Sequence, residues 1–286
     1  MDEFDNIEEE IIDPKKLVNK VRKKRKLRKG RKKQGAFRGF FRFVMTILFL
    51  CGFVYISKMP QWYLSKTAFT NASSGTVEVL NNRIVKPQMI YALLKNVEVP
   101  DTPIYMAKTA GIKKEIEKLP PVKEAYIRRY AFPARLQIIL KERVPVVTVA
   151  PDAKVAPVAA FSEDGVIMGK EFLPLKSEFK TILVLSYGNK GDDYKKWDTA
   201  KIQQFEKIAA YIETYSKEKV EYIDCRNPYD VFVKIRSVNI RLGKLDETVF
   251  KRIEKLPSIL PQVKLMDSKV KYLDLSWEKV NYLKLE

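Results

Sequence analysis

The stretch Leu119–Val147, LPPVKEAYIRRYAFPARLQIILKERVPVV, decides the fold of the first folded part of this 286-residue chain. It contains two runs in which apolar and polar residues alternate, separated by Ala131-Phe132-Pro133. The apolar positions are Val122, Ala125, Ile127 and Tyr130 in the first run and Leu136, Ile138 and Leu140 in the second. Alternation with a period of two on both sides of a proline-containing break predicts two strands of a half-buried sheet.

The residues upstream of this stretch predict one more strand and two helices. Thr76 to Leu80 alternates and is followed by Asn81-Asn82, which is a turn signal. Pro87 is placed to open a helix that carries Ile90, Leu93 and Leu94. A second helix carries Ile112, Ile116 and Leu119 at helical spacing, and Pro120-Pro121 ends it.

The resulting order, β-α-α-β-β over residues 73–143, resembles the POTRA domain of the FtsQ/DivIB bacterial cell-division proteins. The segment Asp101 to Tyr105, DTPIY, is similar to the loop before the second helix of that domain. The resemblance implies an α+β fold that begins the extracytoplasmic part of the protein. The alternative is a generic small α+β domain with no relation to this family.

Charge is distributed unevenly at the start of the chain. Residues 1–13 carry seven acidic side chains and no basic one, whereas residues 15–42 carry fifteen lysines or arginines and no acidic one. Over half of the net charge of +19 therefore lies in one segment just before an apolar run. Such a tract is typical of a membrane anchor that is attracted to anionic lipid. Phosphate binding is the alternative, but aromatic residues are sparse before Phe37, so no nucleic acid is expected.

The apolar run Phe43–Ser57 has no charged residue, and its apolar flanks extend it to a predicted transmembrane helix over 37–59. Arg38, Arg42 and Lys58 are expected to anchor this helix by placing their charges at the two interfaces, and Trp62 suits the far aromatic belt. A cleaved signal peptide is the alternative. It is disfavoured because the basic tract is far longer than that of a signal peptide.

The basic tract also predicts the topology. Lysine and arginine are retained on the cytoplasmic side, so the tail 1–36 is expected to be cytoplasmic. A linker over 60–72 and the folded domains are then expected outside the cell (inner) membrane, in a periplasmic or extracellular zone. The protein is predicted to span the membrane once, with membrane lipids bound through its basic tail; the alternative for the tail is a solvated orientation signal that binds no ligand.

From Val144 onward the pattern changes to many short strands and two helices, which predicts a mostly antiparallel β domain with flanking helices over 144–286. Ser162-Glu163-Asp164-Gly165 favours a hairpin turn because glycine tolerates a positive φ. The helices are expected over 198–215 and 246–260, the second one kinked or ended by Pro257. The expected strands are 155–161, 166–168, 182–185, 220–225, 231–235, 239–242, 269–277 and 280–285.

The end of this region carries the second resemblance to FtsQ/DivIB proteins. Tyr272 to Trp277, YLDLSW, is similar to the family's Tyr-hydrophobe-Asp-Leu-Arg-aromatic run, although Ser276 stands where the family commonly has arginine. The following turn lacks the family's common glycine. The resemblance implies that FtsB/DivIC-like and FtsL-like division proteins bind at Trp277, Glu278, Lys279, Val280, Asn281, Tyr282 and Leu283. Alternatively these are core residues of the last strands, which is the favoured interpretation for Leu273 and Leu275.

Several kinds of chemistry are not expected. The chain has no histidine, no Cys-x-x-Cys pair and no phosphate-binding glycine motif. No cofactor, metal or catalytic residue is therefore assigned, and the protein is expected not to be an enzyme. Its two cysteines, Cys51 in the span and Cys225 in a predicted strand, are too separated to pair, and Cys225 is expected to be a small core residue.

The sequence thus favours a non-enzymatic single-pass scaffold of the division machinery, placed at the septum, that links early division proteins to septal wall synthesis. The alternative is a POTRA-type polypeptide-binding module of a secretion or envelope-assembly system. That reading is disfavoured because such proteins carry a long transmembrane barrel, and the region after 143 is too short and too helical for one. A membrane-anchored cell-wall enzyme is disfavoured by the missing catalytic groups.

Overall fold

The computed structural model describes residues 14–188, 193–266, 270–277 and 282–285. It divides the chain into two compact units, with the boundary between Trp62 and Tyr63. Its mixed α and β architecture, with one apolar N-terminal helix followed by a POTRA-like region and a sheet-rich C-terminal region, confirms the fold class predicted from the sequence.

The first unit is built on helix α1, Pro14–Ser57, which runs through the basic tract and into the apolar segment. The part Phe37–Ser57 has 21 residues and a mean hydropathy of 2.0. At about 1.5 Å per residue this part is about 30 Å long, which matches the hydrocarbon thickness of a bilayer. Length and composition therefore fit a single-pass membrane protein.

The second unit opens with the five predicted POTRA elements. These are strands β1 (Val77–Leu80), β2 (Val122–Tyr130) and β3 (Arg135–Glu142) and helices α2 (Pro87–Leu94) and α3 (Ala110–Ile116). The sheet order is β1-β3-β2, with β1 parallel and β2 antiparallel to β3. Of the alternating residues, Val122, Ala125, Leu136, Ile138 and Leu140 are buried as predicted and Ile127 is half-buried, whereas Tyr130 near the hairpin tip is exposed.

The segment expected as a linker over 60–72 differs from that expectation. Leu64, Ala68 and Phe69 are buried and belong to the same apolar core as the POTRA helices and strands. Burial of these three apolar side chains stabilises the segment against the domain. The folded part of the chain therefore begins only a few residues after α1 ends at Ser57.

The rest of the second unit is a nine-stranded sheet with helices. Its strands are β4 (Pro145–Ala150), β5 (Ala159–Ser162), β6 (Ile167–Met168), β7 (Ile182–Leu185), β8 (Val220–Asp224), β9 (Val231–Ile235), β10 (Asn239–Gly243), β11 (Val270–Asp274) and β12 (Tyr282–Leu285). Its helices are α4 (Thr199–Ser216), α5 (Val249–Ile253) and α6 (Leu256–Lys264). The sheet order is β12-β11-β10-β9-β8-β7-β4-β5-β6.

Helices supply the crossovers for two of the parallel pairs in this sheet, whereas the parallel pair β4 and β7 is connected through β5 and β6. Helix α4 connects the parallel strands β7 and β8, and α5 with α6 connects the parallel strands β10 and β11. Both groups of helices pack on the sheet, and their apolar residues share one core with its strands. Cys225 is buried in that core, as expected from the sequence.

Two local expectations are corrected. Residues 155–158 precede β5 without strand structure, because the strand begins at Ala159. The helix expected over 246–260 begins only at Val249 and is interrupted before Pro257, as predicted: α5 ends at Ile253, four residues before this proline, and Pro257 lies in the first turn of α6. The first turn accepts proline because the amide there has no intrahelical partner.

The POTRA region and the nine-stranded sheet share a core. Ala160, Met168 and Phe172, from β5, β6 and the turn after β6, are buried among the POTRA residues. Arg143 joins the two regions by polar contacts as well. Its Nε donates to Asp164 Oδ2 at 2.8 Å, and its Nη1 donates to the carbonyl oxygens of Pro120, at 3.0 Å, and Val122.

Candidate partner-binding surface

Strand β12 is the last strand in the sheet order, and among the described residues it pairs with β11 alone. The pairing is antiparallel and places Leu283 opposite Leu273 and Tyr282 opposite Asp274. The outer side of an edge strand presents N–H and C=O groups to which a partner can add a strand. The structure therefore places β12 at one end of the sheet.

The residues predicted to bind partners are distributed around this edge. Trp277 lies in the connection after β11, and 65% of its surface is exposed. Leu283 is half-buried and packs against the core, while Leu273 and Leu275 are fully buried. Tyr282 is the first residue of β12. Glu278, Lys279, Val280 and Asn281 lie outside the described residues. The structure thus brings Trp277 and β12 to one edge of the sheet.

A buried guanidinium fixes the chain just before Trp277. Arg252 of α5 is only 2% exposed, and its Nη1 donates to the carbonyl oxygens of Leu242, at 2.7 Å, and Ser276, at 2.9 Å. Its Nη2 donates to the carbonyl of Lys244 at 3.0 Å and to Asp246 Oδ1 at 2.9 Å. One side chain therefore joins the ends of β10 and β11, and it determines where the connection to β12 begins.

A close backbone approach at Gly243 supports the same connection. Gly243 has a φ of +67°, and a Cβ at this position would lie 2.9 Å from the Cβ of Ser276. A left-handed φ is readily accessible to glycine and strained for other residues. The glycine therefore lets the end of β10 approach the residue that immediately precedes Trp277.

Arg241 of β10 forms ion pairs with Asp230, just before β9, and with Asp274 at the end of β11. Arg241 Nε and Nη2 contact the two carboxylate oxygens of Asp230 at 2.7 and 3.1 Å, and its Nη1 contacts Asp274 Oδ2 at 2.8 Å. Asp274 Oδ1 also accepts from the amide of Ser276 at 2.8 Å and from its hydroxyl. Bidentate arginine–carboxylate pairs have a fixed geometry, so this network orients the end of β11.

Burial and hydrogen bonding act in opposite directions on these carboxylates. Burial raises the pKa of Asp274, but the hydrogen bonds from Ser276 and Arg241 outweigh it and hold that pKa below its usual range. For Asp246, burial again raises the pKa, and the bonds from Thr248 together with the Arg252 charge lower it below the usual range overall. Both groups are therefore charged at neutral pH.

The residues predicted to anchor the membrane helix lie at its two ends. Arg38, Arg42 and Lys58 are exposed, and Trp62 is half-buried in a short 3-10 turn, Pro60–Trp62. The indole Nε1 of Trp62 donates to the carbonyl of Ile56 at 2.7 Å. The same carbonyl also accepts from the amide of Met59 at 3.2 Å, so both bonds help to cap the end of the helix. Exposed cations at both ends and an indole at one end are compatible with the anchoring roles.

Sequence reasoning missed Arg252, Arg241 and Asp230. A signal for Arg252 existed, because it is a charged residue within the helical stripe formed by Val249, Ile253 and Leu256. Arg241 and Asp230 gave no signal, since charged residues beside strands are usually solvated. Within the described ranges, no group of three or more Cys, Asp or Glu side chains is placed to hold a metal ion. The chemistry that this surface offers is therefore recognition by backbone pairing and by an exposed aromatic side chain.

Comparison with known families defines the first part of the second unit. The three-stranded sheet with two helices is a POTRA domain, a class of protein-interaction module. Residues 73–143 match the family model of the FtsQ-type POTRA domain. This part of the chain is therefore an FtsQ/DivIB-like POTRA domain. The match covers a minority of the chain, and no curated protein matches the sequence.

Proposed function

We propose that this protein is a non-enzymatic, single-pass scaffold of the bacterial division machinery. The observation that carries the proposal is the FtsQ-type POTRA domain at residues 73–143, which follows an apolar helix fit to span a membrane. In the proposed topology the tail 1–36 is cytoplasmic and the folded domains lie outside the membrane at the division septum. The scaffold links early division proteins to septal wall synthesis.

The proposed partner-binding site is the edge formed by β12 and Trp277. An FtsB/DivIC-like or FtsL-like segment adds a strand to β12, and Trp277 supplies an aromatic anchor beside it. The exposure of Trp277 and the position of β12 at the end of the sheet order support this site. The buried Arg252 supports it further, because it holds the turn from which Trp277 projects.

The experiment that tests the proposal is titration calorimetry on the full-length chain in detergent micelles. The titrants are the extracytoplasmic segments of the FtsB/DivIC-like and FtsL-like proteins of the same cell. Saturable binding by the wild type supports the scaffold role. A complete lack of binding to both segments contradicts the role.

The site within the scaffold is tested with Trp277→Ala and a matched control, Tyr229→Ala. Tyr229 is an exposed aromatic residue in the connection between β8 and β9, away from β12 in the sheet order. Because truncation of a central aromatic anchor typically costs about 2 kcal/mol or more, we expect roughly 30-fold weaker binding for Trp277→Ala. Tyr229→Ala should bind as the wild type does. If Trp277→Ala and Tyr229→Ala both bind with the affinity of the wild type, the scaffold role stands and the proposed site at Trp277 is rejected.

A further inference from the structure

The start of strand β1 and the tip of the β2–β3 hairpin lie at the same end of the POTRA domain. The amide of Leu136 donates to the carbonyl of Thr76 at 2.8 Å, and Val77 lies opposite Leu136 in the parallel pairing of β1 with β3. The hairpin tip, residues 131–134, immediately precedes β3. The chain that arrives from the membrane helix and the β2–β3 tip therefore meet at the same end of the sheet.

This end, which we call the tip surface, exposes large apolar side chains. Phe132 in the hairpin tip is 53% exposed, and Tyr105 and Met106 in the loop before α3 are 52% and 65% exposed. The guanidinium of Arg129, near the end of β2, donates to the carbonyl oxygens of Tyr105 and Ala107 at 3.0 and 3.1 Å. This pair of bonds holds the loop beside the tip, so the three apolar side chains lie at the same end of the domain.

Basic side chains surround the tip surface. Lys108 follows the loop, while Arg128 and Arg135 flank the hairpin on β2 and β3, and all three are exposed. The guanidinium of Arg135 lies 5.7 Å from the ring centre of Tyr130. Exposed aromatic and apolar residues with a rim of lysine and arginine form the composition by which proteins contact the lipid–water interface.

Chain connectivity limits how far the domain can be from a membrane. Helix α1 ends at Ser57, and Leu64 is already buried in the POTRA core. Even a fully extended chain covers at most about 3.6 Å per residue, so the distance from Ser57 to Leu64 is no more than about 25 Å. The chain that connects the end of the span to the first buried residue of the POTRA core is therefore short.

We infer that the tip surface rests on the lipid bilayer at the side where the chain leaves it. Phe132, Tyr105 and Met106 enter the headgroup region, and the basic rim faces lipid phosphates. Arg129 is a positioning residue, because it holds the loop that carries Tyr105 and Met106. The inference is independent of the division role and depends only on the helix crossing the membrane.

The test measures the depth of single nitroxide labels on the full-length chain in lipid nanodiscs. The background variant is Cys51→Ala, and Cys225 is buried and so protected from the label in the folded protein. Labels are attached at Met106→Cys and, separately, at Phe132→Cys. The matched control is Lys141→Cys, an exposed position near the opposite end of β3. Collision with oxygen reports lipid exposure, and collision with a water-soluble nickel chelate reports water exposure.

We expect the labels at 106 and 132 to collide more with oxygen and several-fold less with nickel than the label at 141. The measurement is made in nanodiscs of phosphatidylcholine alone and in nanodiscs that also contain phosphatidylglycerol. If the basic rim contributes to the contact, the anionic lipid should increase the depth of the labels at 106 and 132. Labels at 106 and 132 that are as accessible to nickel as the label at 141, in both lipids, would overturn the inference. That outcome would indicate that the tip surface is open for a protein partner.

A second variant checks that the labels themselves do not cause the contact. Met106→Glu, combined with the label at 132, adds a charge that opposes insertion without altering the hydrogen bonds of Arg129, which are made to backbone carbonyls. The nickel collision rate at 132 should then rise toward that of the control position. An unchanged rate in this variant would show that the depth at 132 does not come from the tip surface as a whole, and the inference would fail.

Discussion

Replacing Arg252 with methionine should destabilise the nine-stranded sheet more than any surface substitution nearby. Methionine retains much of the apolar volume of the arginine stem, so the change removes chiefly the guanidinium. The carbonyl oxygens of Leu242 and Ser276 then lose the bond from Arg252 Nη1, whereas that of Lys244 loses the bond from Nη2 and keeps the one from the Asp246 amide. These acceptors belong to the backbone, so the substitution cannot remove them together with the charge.

The expected magnitude follows from these contacts. Each carbonyl that is left without a donor costs about 1–3 kcal/mol where it is buried. Asp246 is half-exposed, and water compensates much of its loss. Removal of the charge also relieves the cost of burying a guanidinium, which includes one buried Nε without a hydrogen-bond partner. We therefore expect the free energy of unfolding to fall by about 3 kcal/mol, at the lower end of values for broken buried charge networks.

The assay is urea unfolding of the full-length chain in detergent micelles, followed by tryptophan fluorescence. Trp197 is a suitable probe of this region, because its ring centre lies 5.0 Å from that of Phe205 and 5.6 Å from that of Phe161 within the core. Lys251→Met is the control, since Lys251 is the exposed neighbour on the same helix. The control should change stability by less than about 0.5 kcal/mol. A loss below about 1 kcal/mol for Arg252→Met would refute the assigned role.

Three further predictions concern single residues of the second unit. Gly243→Ala should lower the free energy of unfolding by at least about 1–2 kcal/mol, because alanine is strained at this φ and its Cβ crowds Ser276. The control is Gly111→Ala, in helix α3 with open space around it, which should be neutral or stabilising in the same urea titration. The lowered pKa of Asp274 adds stability that is complete above its unfolded-state value near 4 and is lost as the pH falls through the folded-state value. Asp274→Asn should therefore weaken the dependence of the urea midpoint on pH between about 5 and 3; an unchanged slope would contradict this. Phe172→Ala should cost about 3–5 kcal/mol by opening a cavity in the shared core, and it should increase hydrogen exchange in β5 and β6.

The sequence predicted best those elements whose burial alternates along a strand. In β3 every second residue from Leu136 to Leu140 is buried, so the sequence pattern gives the core face of that strand directly; in β2 the buried residues Val122 and Ala125 are separated by a register shift. The place of β12 at one end of the sheet was predictable only from a general tendency, since the last strand of a domain often lies at an edge. The parallel pairing of β10 with β11 was not predictable, because two helices separate these strands in the chain and periodicity does not specify which strands are neighbours.

The features that fix the candidate site were the least predictable. Arg252 stands within an apolar helical stripe in the sequence, but only the convergence of several backbone carbonyls on its position explains why a charged residue is buried there. The packing of Leu64, Ala68 and Phe69 on the POTRA core was also unforeseen, since three apolar residues in a short polar segment form no periodic pattern. In both cases the cause is tertiary contact with residues that are distant in the chain.

The order of strands in the nine-stranded sheet relates the two surfaces proposed here. The end formed by β5 and β6 shares a core with the POTRA domain, while β12 forms the other end. Eight steps between neighbouring strands, each about 4.8 Å, separate β6 from β12 by at most about 38 Å along the twisted sheet. Because these strands form one hydrogen-bonded sheet and Arg143 also ties its β5–β6 turn to the POTRA domain, the position of β12 follows that of the POTRA domain. A POTRA domain that rests on the bilayer would therefore hold the β12 edge at a defined place relative to the membrane, which would reduce the orientational freedom that binding of the proposed partner must otherwise remove.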